Sequence, residues 1–247
     1  MSLWTVTGIF LLLISSFAAA SAQATIVLYD PLAKPPDVNH ADRDEQIVKE
    51  KLLAKAKARW AEGGRCDGSS LEVIGAVDGS FTKAGVKQRA VVYEMCQTGN
   101  GFANNGIAVF ENGEAVAHFA VEGGWNIGVS RVADLNQNGR DELAVETSGG
   151  MHQGYMGASL TILELMPAAA RELGVFLVYT NECEVQAANK FCDRSYKLSV
   201  APSARPVFTA RKYLNRGDDE KPRWVVSGKP VTAKPIGGLS TKYESLR

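Results

Sequence analysis

The sequence predicts a mainly β protein with an N-terminal helix, in which the strands form antiparallel sheets. Short, strand-like apolar runs begin near residue 70, for example at 89–93. The segment Glu111-Asn112-Gly113-Glu114 is typical of a tight hairpin, because Asn-Gly readily takes the positive φ angles of a type I′ turn. Before residue 63, by contrast, apolar residues recur at a spacing of four, which is typical of a helix.

The composition is that of an ordinary globular protein. The chain has 247 residues, of which 45% are hydrophobic and 22% are charged, and it is long enough to bury a core in one large domain or two small ones. The 27 Lys and Arg residues balance the 27 Asp and Glu residues, so the formal net charge is zero. A neutral chain has no strong field for a polyanion, and we expect no nucleic-acid partner.

The N-terminal segment 1–22 is predicted to be a signal peptide. It has no charged side chain, an apolar run at 9–14, and an A-x-A cleavage site at Ala20-Ser21-Ala22. The alternatives are a cut after Ala24 and a retained N-terminal anchor, although the apolar run is shorter than the roughly 20 residues of a membrane-spanning helix. We therefore expect a secreted or periplasmic protein with no membrane span after cleavage.

Four cysteines follow the predicted signal peptide, at Cys66, Cys96, Cys183 and Cys192. An even number in an exported chain predicts two disulfides. Among the possible pairings we favour the sequence-local one, Cys66–Cys96 and Cys183–Cys192; the alternative is four buried free thiols. The chain has no C-x-x-C pair, which argues against a zinc site.

Residues 23–66 are expected to form a linker and one helix over 40–62. Four apolar residues would make the buried face of this helix: Val48, Leu52, Ala56 and Trp60. Asn39 or Asp42 would cap its N-terminus, and Gly63-Gly64 would end it. The lysines on the remaining surface are interpreted as a solvated face rather than a site for an acidic partner.

A β-rich, repeat-like domain is expected over 67–182, followed by C-terminal strands and a flexible tail over 183–247. In the first region, strands are predicted at 71–74, 89–93, 107–110, 115–121, 126–133, 141–147, 158–165 and 174–180. Outside it, they are predicted at 25–29, 195–200, 206–213 and 223–227.

Two segments of the β-rich region resemble each other. When 79–93 is placed over 133–147, Gly85 falls on Gly139, a period of 54 residues, and an apolar strand follows each glycine. A repeated β unit of this size is typical of a propeller blade. Only two copies are recognisable, whereas a closed propeller usually has about four blades or more. We therefore expect propeller-blade-like antiparallel sheets that do not make a complete propeller.

The second copy has oxygen-bearing side chains at the spacing of a calcium-binding loop. The ligands would come from loop positions 1, 3, 5, 7 and 9, namely Asp134, Asn136, Asn138, the backbone carbonyl of Arg140, and Glu142. Gly139 would permit the sharp bend at position 6. A helical EF-hand requires a bidentate Glu at position 12, where this chain has Val145, so an EF-hand is not expected.

The segment Val132 to Val145, with Ile127-Gly128 before it, resembles the FG-GAP or VCBS-like repeats of β-propellers, including those of integrin α-subunits. In that family a short Phe-Gly element precedes a loop of the pattern D-x-[DN]-x-[DN]-G-x-x-[DE], and a hydrophobic strand follows. In this chain Ile127 replaces the aromatic residue and Glu142 replaces the more usual Asp. The resemblance implies a loop that joins the outer strands of a blade and holds Ca²⁺.

Calcium in this loop is expected to be a structural clip rather than a sensor. The ligand charge of −2, from Asp134 and Glu142, is typical of extracellular sites with a Kd of roughly 0.1–1 mM. The alternative is a loop that holds itself with Asx turns and never binds metal. In the first copy Ser80, Thr82 and Ala84 stand at the ligand positions, so no metal is expected there.

These observations predict an exported, non-enzymatic β-rich protein that acts as a binding or surface-interaction module for an extracytoplasmic protein or glycan. We find no G-x-S-x-G, H-E-x-x-H or Walker motif in the sequence. The alternative is an extracytoplasmic hydrolase that uses the Gly-rich loop around His152. A convergence of His152, Tyr155 and an acidic side chain in one pocket would favour that alternative.

Overall fold

The computed structural model describes residues 24–34, 40–60, 66, 69–184, 192–217, 221–236 and 241–246, and it describes Met151 and His152 by their backbone only. The predicted signal peptide at 1–22 therefore lies outside the described residues. In chain order the elements are β1 (Ile26–Tyr29), α1 (Asp42–Lys51), α2 (Leu53–Trp60), β2 (Glu72–Gly79), β3 (Gln88–Gly99), β4 (Phe102–Glu111), β5 (Glu114–Gly123), β6 (Trp125–Val132), β7 (Glu142–His152), β8 (Tyr155–Met166), β9 (Ala169–Asn181), β10 (Asp193–Ala201), β11 (Val207–Asn215), β12 (Trp224–Val226), β13 (Val231–Thr232) and β14 (Tyr243–Ser245).

These elements confirm the prediction of a mainly β fold with N-terminal helical structure. The strands form two antiparallel sheets, one with the order β14-β5-β4-β3-β2 and one with the order β12-β11-β10-β9-β8-β7-β6. In the second sheet, β1 also pairs with β10 and β13 also pairs with β11, which makes nine strands. The sheets do not close into a barrel.

Each sheet contains a meander of four consecutive antiparallel strands, β2–β5 in one and β6–β9 in the other. The strands β6, β7, β8 and β9 begin 53, 54, 53 and 55 residues after β2, β3, β4 and β5, respectively. The 54-residue register seen in the sequence is thus also the register of the strands. A four-stranded meander is the arrangement of a propeller blade, but here two such units face each other across a common core.

The two meanders are held together at one end by large apolar side chains. Phe81, Phe119, Leu143 and Leu165 are fully buried between the sheets. Along one side the sheets approach closely at β2 and β6, because a Cβ atom added to Gly75 would lie 2.4 Å from Cγ1 of Val129. This end of the molecule carries the β2–β3 and β6–β7 loops.

The outer face of the five-stranded sheet is covered by α1 and α2. Val48, Leu52, Ala56 and Trp60 are all buried there, as predicted. The single helix predicted over 40–62 is instead two helices, because the chain leaves helical geometry at Leu52, where φ is −119°.

The N-terminus of α1 also differs from the prediction. Asp42 is the first residue of the helix rather than its cap, and Asn39 lies outside the described residues. The cap residue is Ala41, whose backbone N–H donates to Oδ2 of Asp44 at 2.8 Å. The carboxylate of Asp44 also accepts two bonds of 2.6 Å from the guanidinium of Arg89, which ties α1 to β3.

The structure confirms the favoured disulfide pairing. Cys66 is bonded to Cys96, with their Cα atoms 5.6 Å apart, and Cys183 is bonded to Cys192, with a Cα separation of 4.8 Å. Two disulfides indicate a non-cytosolic protein. Within the described ranges, neither helix is long and apolar enough to span a membrane.

The C-terminal segment, for which the sequence predicts a flexible tail, carries two short strands. Thr209 and Ala210 of β11 pair with β13, and β14 pairs with the outer edge of β5. Between them, the N–H of Ile236 donates to the carbonyl of Val175 in β9 at 2.7 Å. The described parts of this segment therefore bond to both sheets on the side opposite the β2–β6 contact.

Candidate functional site

The predicted calcium-type loop joins β6 to β7 and lies directly beside the loop of the first copy, which joins β2 to β3. The N–H of Ser80 donates to Oδ2 of Asp141 at 2.7 Å, and the N–H of Asp141 donates to the carbonyl of Ser80 at 2.9 Å. A Cβ atom added to Gly139 would lie 3.1 Å from Cβ of Ala84. The two equivalent loops thus form one joined cap at this end of the sheets.

The predicted ligand side chains turn inward and hold the loop. Asp134 accepts the N–H of Asn138 at 2.7 Å through Oδ1 and the N–H of Gly139 at 3.1 Å through Oδ2. Oδ1 of Asn136 accepts the same N–H of Asn138 at 3.2 Å, so its oxygen and that of Asp134 lie close together. Oδ1 of Asn138 accepts the N–H of Arg140 at 2.9 Å. Gly139 has a φ of 81°, in the left-handed region that its predicted place at the bend requires.

Glu142 begins β7 beneath this loop and is completely buried. Its Oε2 accepts the N–H of Leu135 at 2.7 Å, whereas its Oε1 has no hydrogen-bond partner among the described residues. Burial raises the pKa of Glu142 to about 7, and the nearby carboxylates of Asp134, Glu164 and Asp141 add to the increase. A buried oxygen with no partner is costly, and a cation would satisfy it.

The first copy shows how the same position is satisfied without a charge. Gln88 stands 54 residues before Glu142 and is also buried. Its Oε1 accepts the N–H of Thr82 at 2.8 Å, and its Nε2 donates to Oγ1 of Thr82 at 2.8 Å and to Glu111 at 2.9 Å. Both polar atoms of the amide are therefore used, in contrast to the carboxylate of Glu142.

Glu164, on β8, is a residue of the loop environment that the sequence analysis did not identify. Its side chain is buried and bonds to the amide nitrogens of Asn136 (3.4 Å) and Asn138. The same carboxylate forms an ion pair with the guanidinium of Arg140 and a second one, at 2.5 Å, with the guanidinium of Arg171. Because two arginines balance its charge, Glu164 is placed to anchor the loop rather than to bind a metal. No sequence signal marks it, since it is far from the loop along the chain.

A calcium ion in this loop would need mixed oxygen donors. In the described part of the chain, no three His, Cys, Asp or Glu side chains converge at one point. Carboxylates alone therefore do not form the site, and Asp134 and Glu142 would need the amide oxygens of Asn136 and Asn138 beside them. Calcium prefers such hard oxygen ligands and usually takes about six to eight of them, so the carbonyl of Arg140 and water would complete the set.

A cavity of about 1000 Å³ lies between the two sheets at the opposite end. It is lined by the far ends of β3, β5 and β7 and by the beginnings of β4 and β8, with Ile236 and Tyr243 of the C-terminal segment on one side. Burial raises the pKa of Tyr243, and its hydroxyl bonds to Glu172 of β9 at 3.2 Å. Tyr243 thus bridges the two sheets beside the cavity.

Different residues line the two ends of the space between the sheets. Sheets that pack face to face are filled by interdigitating side chains. Phe81 and Phe119 fill that space at the loop end, whereas residues with little or no side chain line the cavity: Gly101, Ala103, Gly123, Gly124, Gly149, Gly150 and Gly157. Glycines are therefore frequent around the cavity, although a Cβ atom added to Gly101, Gly124 or Gly150 would meet other protein atoms at less than 3.0 Å rather than open space.

The residues proposed for a hydrolase lie at the β7–β8 hairpin beside this cavity. Tyr155 lines the cavity with 40% of its surface exposed, and it pairs with His152 across the hairpin. The side chain of His152 lies outside the described part of the structure. The hydrolase alternative therefore stays a prediction.

Comparison with family models, with curated proteins and with solved structures found no match to this chain.

Proposed function

We propose that this chain is an exported, non-enzymatic binding protein of the FG-GAP or VCBS-like type, in which Ca²⁺ clips the loop 134–142. The two disulfides support a location outside the cytosol. The opposed four-stranded meanders support a repeat-built scaffold. Such a scaffold leaves its loops and the space between its sheets for recognition of a partner.

The observation that carries the calcium proposal is the unpartnered, buried Oε1 of Glu142. It belongs to the copy that has Asp134, Asn136 and Asn138 at the ligand positions. The other copy has an amide at this place and satisfies both of its polar atoms with protein groups. A cation in the second loop would neutralise Glu142 and Asp134 together and hold the loop against its neighbour.

The test is a thermal melt of the disulfide-intact protein in 1 mM CaCl₂ and in excess chelator. A Kd of roughly 0.1–1 mM corresponds to about 0.4–1.4 kcal/mol of stabilisation at that concentration. For a chain of this size, this stabilisation free energy corresponds to an increase in melting temperature of about 1–5 °C. Asp134→Ala should abolish the increase.

Ser80→Ala is the matched control, because Ser80 stands at the position of the first copy that is equivalent to Asp134. This variant should keep the full response to calcium. Identical melting curves with calcium and with chelator, or an equal response in the Asp134 variant, would contradict the proposal.

A further inference from the structure

We propose that the inter-sheet cavity binds an uncharged, mainly apolar molecule that donates one hydrogen bond to Oδ1 of Asn105. This inference rests on the binding role proposed above but not on calcium, because the loop 134–142 lies at the other end of the sheets. It assigns the ligand site to the cavity and gives the ligand a chemical class.

The walls of the cavity determine the apolar part of the ligand. Ile107 of β4 and Val145 and Leu163 of the facing sheet line it, together with Val175 and Leu177 of β9. A volume of about 1000 Å³ is at the upper end of the range for small-molecule sites. These side chains are already largely buried, so the main driving force would be the removal of the ligand's own apolar surface from water.

The charges around the cavity determine that the ligand is neutral. Among the described residues that line it, Glu122 is the only one with a charged side chain. Glu122 is exposed, and one of its carboxylate oxygens lies 3.4 Å from the guanidinium of Arg59, outside the cavity. No lining Lys or Arg is therefore present in this set to balance a carboxylate or a phosphate, and transfer of an unpaired charge into such a site is strongly unfavourable.

Asn105 gives the site its polar specificity. This residue of β4 lines the cavity and is 2% exposed. Its Nδ2 donates to the carbonyl of Gly124 at 3.0 Å and to that of Ala103 at 3.4 Å, which fixes the orientation of the amide. Its Oδ1 then has no partner among the described residues and has almost no accessible surface, so a ligand donor reaches it only when the neighbouring side chains shift. Buried carbonyl oxygens in proteins are nearly always hydrogen-bonded, so a hydroxyl or N–H group of the ligand would complete this one.

The entrance has the exposed aromatic side chains that an apolar ligand requires. Phe102 is 56% exposed and Tyr155 is 40% exposed, and both line the cavity. Phe102 is the first residue of β4, after the β3–β4 turn, and Tyr155 is the first residue of β8, after the β7–β8 turn. An apolar chain longer than the cavity would therefore leave it along these two rings.

The experiment uses the neutral fluorescent probe N-phenyl-1-naphthylamine on the full, disulfide-intact chain. The probe should bind with increased fluorescence, and dodecan-1-ol should displace it. Dodecanoate at pH 8 should compete at least about 10-fold more weakly, because its charge has no partner in the cavity. 1-Methoxydodecane, which lacks a donor, should compete about 2- to 10-fold more weakly than the alcohol.

Two variants locate the site. Ser159→Phe places a ring in the cavity and should weaken probe binding by about 10-fold or more, since a filled site excludes the ligand. Ser199→Phe is the matched control, because Ser199 is a similarly half-buried serine of the same sheet that does not line the cavity. Asn105→Leu should leave dodecan-1-ol and its methyl ether equally effective.

A diazirine derivative of dodecanol provides a readout that needs no variant, and it should label β4, β8 or β9. Absence of probe binding, equal loss in the Ser159 and Ser199 variants, equal competition by dodecanoate, or labelling confined to other segments would overturn the proposal. Each titration is repeated in calcium and in chelator. A protein that binds the probe but shows no calcium response would contradict the loop proposal alone.

Discussion

His118 should make the protein lose stability between pH 6.5 and pH 4. Its ring lies on β5 beneath the helices, is 3% exposed, and shares a 2.7 Å hydrogen bond between Nε2 and the hydroxyl of Tyr93. Burial, with a smaller contribution from Lys55, lowers the pKa of His118 from 6.5 to about 4. The unfolded chain therefore binds a proton throughout this interval while the folded chain does not.

The magnitude follows from proton linkage. One pKa unit corresponds to about 1.4 kcal/mol, so a change from 6.5 to about 4 removes roughly 3 kcal/mol of unfolding free energy by pH 4. The sign is fixed by which state holds the proton: stability is full above the unfolded pKa and decreases as pH falls towards the folded one. Glu142, with its pKa raised to about 7, acts in the opposite direction over the same interval.

The comparison with His118→Gln separates these two effects, because Glu142 contributes equally to both proteins. Urea unfolding of both is measured at pH 7.5, 6.5, 5 and 4. The wild-type free energy should fall by about 3 kcal/mol relative to the variant over this range. Free energies that stay parallel within about 0.5 kcal/mol, near the usual uncertainty of such extrapolations, would refute the assignment of a buried neutral imidazole.

The other predictions concern packing and cross-linking. Gly106→Ala should destabilise the fold by at least about 2 kcal/mol in urea unfolding, because the new Cβ would lie 2.0 Å from Cζ of Tyr93. Gly123→Ala is its control and should be nearly neutral, since nothing lies within 4 Å of its Cβ position; equal losses would contradict the reasoning. Replacing Cys66 and Cys96 by serine should lower the free energy of unfolding by at most about 4 kcal/mol, because their separation of 30 residues determines the loop-closure entropy. No loss on reduction of the wild type would show that the bridge does not form.

Most of the secondary structure was predictable because it depends on local patterns. Asn112 and Gly113 have φ angles of 52° and 84°, as the predicted hairpin turn requires. The strand predictions correspond to observed strands, since short apolar runs between turn residues are typical of strands, including those buried on both faces. The break of the helix at Leu52 was not predictable, because the apolar spacing of four continues through it.

The loop 134–142 was predictable in its own hydrogen bonds but not in its surroundings. Asp134, Asn136 and Asn138 point into the loop because side-chain oxygens of alternate residues bond the backbone of a tight turn. Glu164 approaches through the pairing of β8 with β7, and the facing loop at Ser80 approaches only after the two sheets have packed. Whether Glu142 is left with an unpartnered oxygen depends on that packing, which no local pattern encodes.

The sequence by itself determined the β class, the helix face and the 54-residue register, because each arises from spacing along the chain. It left several disulfide pairings open, and the structure selected the favoured one. Tertiary structure decided that the two repeat units face each other across one core instead of lying side by side in a ring. It also decided that a cavity of about 1000 Å³ lies between the sheets, because such a space is bounded by residues of both sheets together.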